Sequence, residues 1–316
     1  MHNQNLIQSE DIALDSSFRN RFTEEHTISS SVRIFLEIIK FKITILVSFT
    51  TGLGYILAAN TISFTIFYPV LGIFLLACSA SALNHYQERK TDRLMERTSR
   101  RPIPAGKIEP QSVLIISIAI FITASFILII FSNILALAIG YLTFIWYNAI
   151  YTPLKKVTPW AIIPGSLVGA LPPIAGWAAA GGLVMDSRIM IVSLYFFIWQ
   201  IPHFWLLLML YSDDYRNAGF PVLTDIFSIG QLKKITFMWL LATVLIAMAI
   251  PMFGIINFKI SIAAIVLSSI WMIVAAVRFL FADESRKPVI NSFIRINFYT
   301  LLLITILSLD KFFKIL

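Results

Sequence analysis

Apolar residues gather along this chain in long, nearly unbroken runs rather than in the narrow stripe of an amphipathic surface helix. Nine runs are long enough to cross about 30 Å of hydrocarbon: residues 43–59, 66–83, 112–131, 134–150, 160–180, 189–210, 235–254, 260–281 and 293–309. Each predicts a membrane-spanning helix, the last with Arg295 near its start reaching the interface along its aliphatic stem. The pattern predicts an all-α, polytopic membrane protein, with a polar segment over 1–38 and a nine-helix bundle over 39–316. Only Ser132–Asn133 separates the third run from the fourth, which predicts an antiparallel hairpin. The fifth run carries Pro164, Gly165, Gly169, Pro172, Pro173 and Gly176. Interrupted backbone at membrane depth is tolerated only against protein or around a cavity, so the bundle is expected to enclose a central cavity.

The positions of the cations set an orientation. Of 25 lysines and arginines, all but Arg188, Lys259, Lys311 and Lys314 precede the first run or fall in loops, or at run ends, on the same side as the N-terminus. The positive-inside rule then places the N-terminus in the cytoplasm and, nine crossings later, the C-terminus outside. Composition agrees: 58% of residues are hydrophobic, 13% are charged and mean hydropathy is +0.82, beyond the range of soluble domains. Topology and a phosphate site account for the net charge of +8, and no nucleic-acid partner is expected. The single cysteine, Cys78 in LLACSA, excludes an internal disulfide or a cysteine-rich zinc site and reads as a packing residue. Residues 1–32 lack the apolar core and cleavage signal of a secretion peptide, and Glu10, Asp11 and Asp15 argue against a mitochondrial presequence.

The densest chemistry lies between the second and third runs, in NHYQERKTDRLMERTSRRPIPAGK. If the helix runs on, Asn84, Glu88 and Asp92 stack on one face at intervals of about 6 Å, as a ladder of oxygen ligands. Arg89, Lys90, Arg93, Arg97, Arg100, Arg101 and Lys107 surround them. Magnesium takes one or two carboxylates and completes its shell with water and phosphate oxygens, while guanidinium groups grip the same phosphates. The stretch reads as a metal–diphosphate site, with Arg97, Arg100 and Arg101 on the substrate. Pro102, Pro104, Gly106 and Pro110 then predict a structured lid.

Other polar residues are expected on the same face. In KFKIT, Lys40 reads as a cytoplasmic anchor, and Lys42, nearer the membrane, as the lysine able to face the site; Gly52 and Gly54 suit close helix packing. Tyr151 and Lys155, four residues apart in YTPLKKVTP, are candidate phosphate donors. In WQIPHFW, His203 sits within an apolar run, where a histidine is costly unless paired; it reads as functional or as a core histidine bonded to a backbone carbonyl. Asp213, Asp214, Tyr215 and Arg216 follow as a second acidic pole. The loop RFLFADESRKPVINSFIR reads as a solvated connector without chemistry.

Two acid-bearing helix ends on one membrane face, flanked by cations, suit an amphiphilic diphosphate whose tail lies in the bilayer: a prenyl diphosphate. Metal and cations would stabilise the departing diphosphate, and aromatic faces the allylic cation left behind. No serine, cysteine or histidine nucleophile with a partner base is apparent, and ionisation needs none. A transporter with interrupted helices would explain the Pro/Gly breaks but not the crowding of acids and arginines on one side.

From about Lys40 to Asp225 these motifs resemble the intramembrane prenyltransferase superfamily, and within it the protohaem IX farnesyltransferases. The resemblance is carried by KFKIT, NHYQERKTDRLMERTSRRPIPAG, YTPLKKVTP with GALPPIAGW, and WQIPHFW with DDYRNAGFPVL. It implies nine helices around a central cavity and magnesium-dependent transfer of farnesyl from farnesyl diphosphate to a vinyl group of haem B. Asn84, Glu88 and Asp92 match the family's first metal-binding motif and Asp214 the second; Tyr151 and Lys155 match diphosphate contacts, and His203 a histidine that approaches the porphyrin. The chain departs from the pattern at Phe41, where proline is common, at Asn217 and Ala218, where the second motif lacks its further aspartate, and at PVLTD. A relative acting on a quinone precursor such as 4-hydroxybenzoate is the nearest alternative. The expected setting is a bacterial inner membrane, with membrane lipid around the bundle and terminal-oxidase biogenesis factors as candidate partners.

Overall fold

The computed structural model describes residues 30–59, 61 and 63–315, so the expected N-terminal polar segment lies outside the description as far as residue 29. Among the described residues nine helices are long and apolar enough to cross a membrane, and they follow the nine apolar runs. Their α-helical parts are α1 (Phe41–Ala58), α2 (Phe67–Asp92), α3 (Pro110–Phe131), α4 (Ile134–Ile145), α5 (Leu167–Ala179), α6 (Ser187–Asn217), α7 (Ile229–Ala249), α8 (Lys259–Phe281) and α9 (Arg286–Ile315), the fourth span running on through further turns to Leu154 and the fifth entering from Pro159. No strand occurs among the described residues. The protein is an all-α, multi-pass membrane protein.

Local signals account for the helix starts. Asn133 begins α4 by accepting from the Ala136 amide at 2.8 Å, and its side-chain amide donates to the Ala178 carbonyl at 2.8 Å, tying the α3–α4 hairpin to the end of α5. Ser228 and Gln231 form a capping box at the start of α7. Pro110 opens α3, where its missing N–H costs nothing.

Of the helices that overrun their apolar runs, two do so toward the polar motifs. α2 continues through the ladder to Asp92, and α6 continues past Leu210 to Asn217. A helix propagates through backbone hydrogen bonds and does not stop where its side chains become polar. α6 does break locally at Tyr211 (φ −129°, ψ 19°), where the span gives way to its aspartates. α4 runs into a π-helical turn at Trp146–Tyr151 and a last short piece at Thr152–Leu154. Single π turns inside α-helices mark functional sites more often than ordinary turns do.

Small residues let α1 and α5 meet backbone to backbone. A methyl group at Gly54 would collide with the Pro173 carbonyl, and one at Gly176 with the Thr51 carbonyl. Gly52, expected to share this role, has only Val70 nearby at 3.8 Å. Hydrogen bonds knit the other seams: Ser79 with Ser117 across α2 and α3 (3.1 Å between hydroxyls), Tyr195 with Thr300 across α6 and α9 (2.8 Å), and Ser269 with Tyr299 across α8 and α9 (2.8 Å). Each contributes about 0.6 kcal/mol in a membrane interior. Ile115, Ile122, Phe126 and Ile129 on α3 stay exposed, as a lipid-facing surface should.

Candidate active site

A cavity of 410 Å³ opens at the end of the bundle that holds the ladder. Its mouth is lined by Lys40, Asn84, Glu88, Asp92, Arg97, Arg101, Tyr147, Tyr151 and Lys155; deeper in, Val47, Ile73, Leu76, Gly140, Phe144 and Leu207 make it apolar. The ladder forms as expected. Asn84, Glu88 and Asp92 lie on one face of α2, buried to 1%, 4% and 0% exposure.

Each rung meets one cation. Lys40 donates to the Asn84 side-chain oxygen at 2.7 Å, Lys155 pairs with Glu88 at 2.5 Å, and one Arg101 nitrogen donates to both Asp92 oxygens at 2.9 and 2.8 Å. Buried carboxylates need such partners, since an isolated charge out of water costs several kcal/mol. The pairs shape the cations in turn. Burial, and then the charge of Arg101, pulls Lys40 down from the ordinary lysine value to about 7. Burial also opposes the charge on Lys155, but Glu88 beside it more than compensates and holds its pKa above the ordinary value.

Lys40, expected as a cytoplasmic anchor, instead lines the cavity. Its backbone lies in the left-handed region (φ 50°, ψ 50°), the only non-glycine residue with positive φ among those described. Such a conformation costs about 1–2 kcal/mol and persists where the surroundings impose it. It turns the side chain to Asn84, with the Tyr147 hydroxyl at 3.5 Å. Lys42, expected to face the site, is exposed and does not line the cavity. Helical phase is the reason: Lys40 leads the stripe Ile43, Thr44 and Val47 that lines the cavity, and Lys42 is out of step with it.

The π turn supplies Tyr147 and Tyr151, whose rings stack with centroids 6.0 Å apart. The Tyr151 ring lies against Gly165, where a methyl group would strike it, so the broken start of the fifth span makes room for the tyrosine. Thr152 accepts from the Asn84 side-chain amide at 3.1 Å and fixes which end of that amide faces Lys40. Arg97 and Arg101 line the mouth, with Arg97 over the Tyr211 ring at 5.1 Å; Arg100, three residues after Arg97, is exposed and faces elsewhere.

The second acidic pole reaches the first through the backbone. The two Asp214 oxygens accept from the amides of Glu96 and Arg97, each at 3.2 Å, and so cap the short helix Glu96–Ser99 from across the site. Met95, Ala218 and Phe220 pack together beneath it, and the Thr98 hydroxyl donates to the Asp92 carbonyl at 2.8 Å. Asp214, expected among the metal ligands, does not line the cavity in this arrangement; its acceptors are engaged by the loop. Arg216 is bound by Asp213 at 2.7 Å and Asp225 at 2.7 Å, bracing the turn after α6. Arg286, which lies in the connector assigned no chemistry and begins α9, has its guanidinium 6.0 Å from the Tyr211 ring.

His203 also stands outside the cavity wall. Its Nδ1 lies 2.9 Å from the Asn297 side-chain oxygen on α9, and Trp199, Phe204 and Phe293 surround the ring at 4.8–5.1 Å. The partner is a side chain and not the backbone carbonyl of the core-histidine alternative, and of these neighbours Phe204 lines the cavity.

The ladder suits magnesium in kind. It offers an amide oxygen and two carboxylates, all hard donors. Among the described residues no group of three histidine, cysteine, aspartate or glutamate side chains gathers as a metal site. An amide and two carboxylates would leave positions on the ion for water and phosphate oxygens, which is how magnesium is usually held.

Comparison with known proteins places this geometry. The sequence profile of the UbiA prenyltransferase family matches residues 46–300. A protoheme IX farnesyltransferase of Geobacter sulfurreducens is 38% identical over 203 residues, 64% of this chain and 74% of the relative. One from Gloeobacter violaceus is 32% identical over 289 residues, 90% of this chain and 94% of the relative. Among solved structures, a digeranylgeranylglyceryl phosphate synthase shares the fold with a TM-score of 0.72 at 16% identity, over 89% of this chain and 99% of that one. A UbiA homologue from Archaeoglobus fulgidus bound to GPP and Mg2+ does so with a TM-score of 0.61 at 14% identity, over 87% and 99%. By the span of the profile match and the extent of these likenesses, the chain belongs to the UbiA prenyltransferase family.

Proposed function

We infer that the protein transfers a farnesyl group from farnesyl diphosphate to a vinyl group of haem B. The observation that carries this reading is the cavity itself, cationic and oxygen-rich at the mouth and apolar within, as an amphiphilic diphosphate requires. The likeness to protoheme IX farnesyltransferases supports the choice of substrates.

Lys40, Arg97, Arg101, Lys155 and Tyr151 bind and orient the diphosphate, the cations turning from the ladder to the phosphate oxygens. Asn84, Glu88 and Asp92 would hold magnesium, which when bound supplies positive charge that favours departure of the diphosphate. The C1–O bond breaks with its electron pair on the diphosphate. A terminal vinyl carbon of haem B forms the new C–C bond, and water adds to the resulting cation and loses a proton, leaving a hydroxyethylfarnesyl substituent. Tyr147, Tyr151 and Phe144 offer ring faces to the allylic cation, and the apolar walls keep water from it. Asp214 positions Arg97 through the loop, and His203, beside Phe204 of the wall, is assigned to the porphyrin. The cation-rich mouth faces the cytoplasm of a bacterial inner membrane, with the C-terminus on the far side, and the product passes to terminal-oxidase assembly.

The test is direct. Purified protein with magnesium, farnesyl diphosphate and haem B should give a product whose mass is that of haem B plus farnesyl and hydroxyl. Turnover with 4-hydroxybenzoate and none with haem would assign the acceptor to the quinone class instead.

A further inference from the structure

The cavity has a floor. Ile73, Gly140 and Gln200 are the deepest residues on α2, α4 and α6 to line it. Eleven residues separate Ile73 from Asn84, the innermost rung of the ladder, and eleven separate Gln200 from Tyr211 on α6. At about 1.5 Å per residue the floor lies about 16 Å below the level of Asn84. The helices run on beyond this level, but their side chains there are packed: Leu53, Leu137, Trp177 and Phe196 are 4% exposed or less. Gly140 marks where the space closes. A methyl group on it would press on the side-chain ends of Leu76 at 2.6 Å and Ile73 at 3.0 Å.

We propose that Ile73, Leu76 and Gly140 fix the length of prenyl chain that the enzyme accepts, with fifteen carbons the longest that fits while the diphosphate sits at the mouth. The proposal rests on the prenyl-diphosphate reading above and adds to it a length-determining set of residues. An extended chain gains about 1.3 Å per C–C bond, from bond lengths near 1.5 Å. The main chain of a farnesyl group then spans about 14 Å and fits above the floor; that of a geranylgeranyl group spans about 19 Å and does not. A ten-carbon geranyl chain, at about 9 Å, leaves the lowest part of the cavity unfilled.

The experiment is a competition. Wild-type protein with magnesium and haem B receives equimolar geranyl, farnesyl and geranylgeranyl diphosphates, and the products are separated by mass. Farnesyl should be preferred to geranylgeranyl by at least about tenfold, the scale on which an apolar pocket discriminates by fit. Ile73→Ala should raise the geranylgeranyl-to-farnesyl ratio by about tenfold, and Ile73→Val should shift it less in the same direction, which covers the case in which the alanine variant does not fold. Gly140→Ala, by pushing Leu76 and Ile73 into the cavity, should raise the geranyl-to-farnesyl ratio. Equal use of all three chains by the wild type, or active variants with unchanged ratios, would overturn the assignment of the floor and leave the farnesyl-transfer reading standing. Failure of the wild type to prenylate haem with any of the three would remove both.

Discussion

Replacing Asp214 distinguishes a positioning role from a metal-binding one. Asp214→Ala removes both acceptors of the Glu96 and Arg97 amides. The helix they begin has four residues, far too short to hold itself together, so its placement depends on that carboxylate, on buried Met95 and on the Thr98 hydrogen bond. Loss of a helix cap costs about 0.5–2 kcal/mol. If that energy holds Arg97 at the mouth, kcat/KM for farnesyl diphosphate should fall roughly 2- to 30-fold in the alanine variant. Asparagine keeps one of the two acceptor oxygens and turns an NH2 toward the other amide, so Asp214→Asn should fall between the wild type and the alanine variant. Neither variant should alter the magnesium concentration that gives half-maximal rate. Initial rates against magnesium and against farnesyl diphosphate measure both quantities, and faster tryptic cleavage near Arg97 in the alanine variant would report the loosened loop. If Asp214→Asn is as damaging as Asp214→Ala and demands more magnesium, the carboxylate is a ligand and the positioning argument fails.

Three further outcomes are expected. Asp92→Ala should lower the transfer rate at least about 100-fold while the protein still accumulates folded in membranes, as seen by a monodisperse detergent-solubilised peak; retained activity would count against the ladder. Lys40→Gly relieves the left-handed backbone while removing a charged donor, so thermal stability should be kept while kcat/KM falls about 10-fold or more, whereas Lys42→Ala should leave the rate unchanged. Gly54→Ala sets a methyl group against the Pro173 carbonyl and should cost about 1–3 kcal/mol, read as a lower unfolding temperature in detergent; an unchanged midpoint would mean that α1 and α5 are not held at that contact.

Most of the fold was legible because hydropathy alone marks what lipid will accept, and the nine apolar runs became nine helices. Helix ends were less legible. Hydropathy falls at Leu83 and Leu210, but α2 and α6 continue to Asp92 and Asn217 because backbone hydrogen bonding is indifferent to side-chain polarity. In the site, the four-residue spacing of Asn84, Glu88 and Asp92 was sufficient to place them together, and the same spacing separates Arg97 and Arg101, which line the mouth, from Arg100, which does not. Helical phase separates Lys40 from Lys42, whereas distance from the membrane points to the wrong one of the two. The bonds of Asp214 to Glu96 and Arg97, and of His203 to Asn297, join residues more than ninety positions apart, and no local pattern announces them.

The one-to-one matching of Lys40, Lys155 and Arg101 with the ladder bears on how the protein rests between turnovers. With each rung answered by a resident cation, a stray divalent ion or inorganic phosphate arriving alone would strand the partner it displaces. A metal and a diphosphate arriving together satisfy both halves at once. On the function proposed above, the same six side chains would serve as a two-key lock, idle toward either component alone and released by their joint arrival.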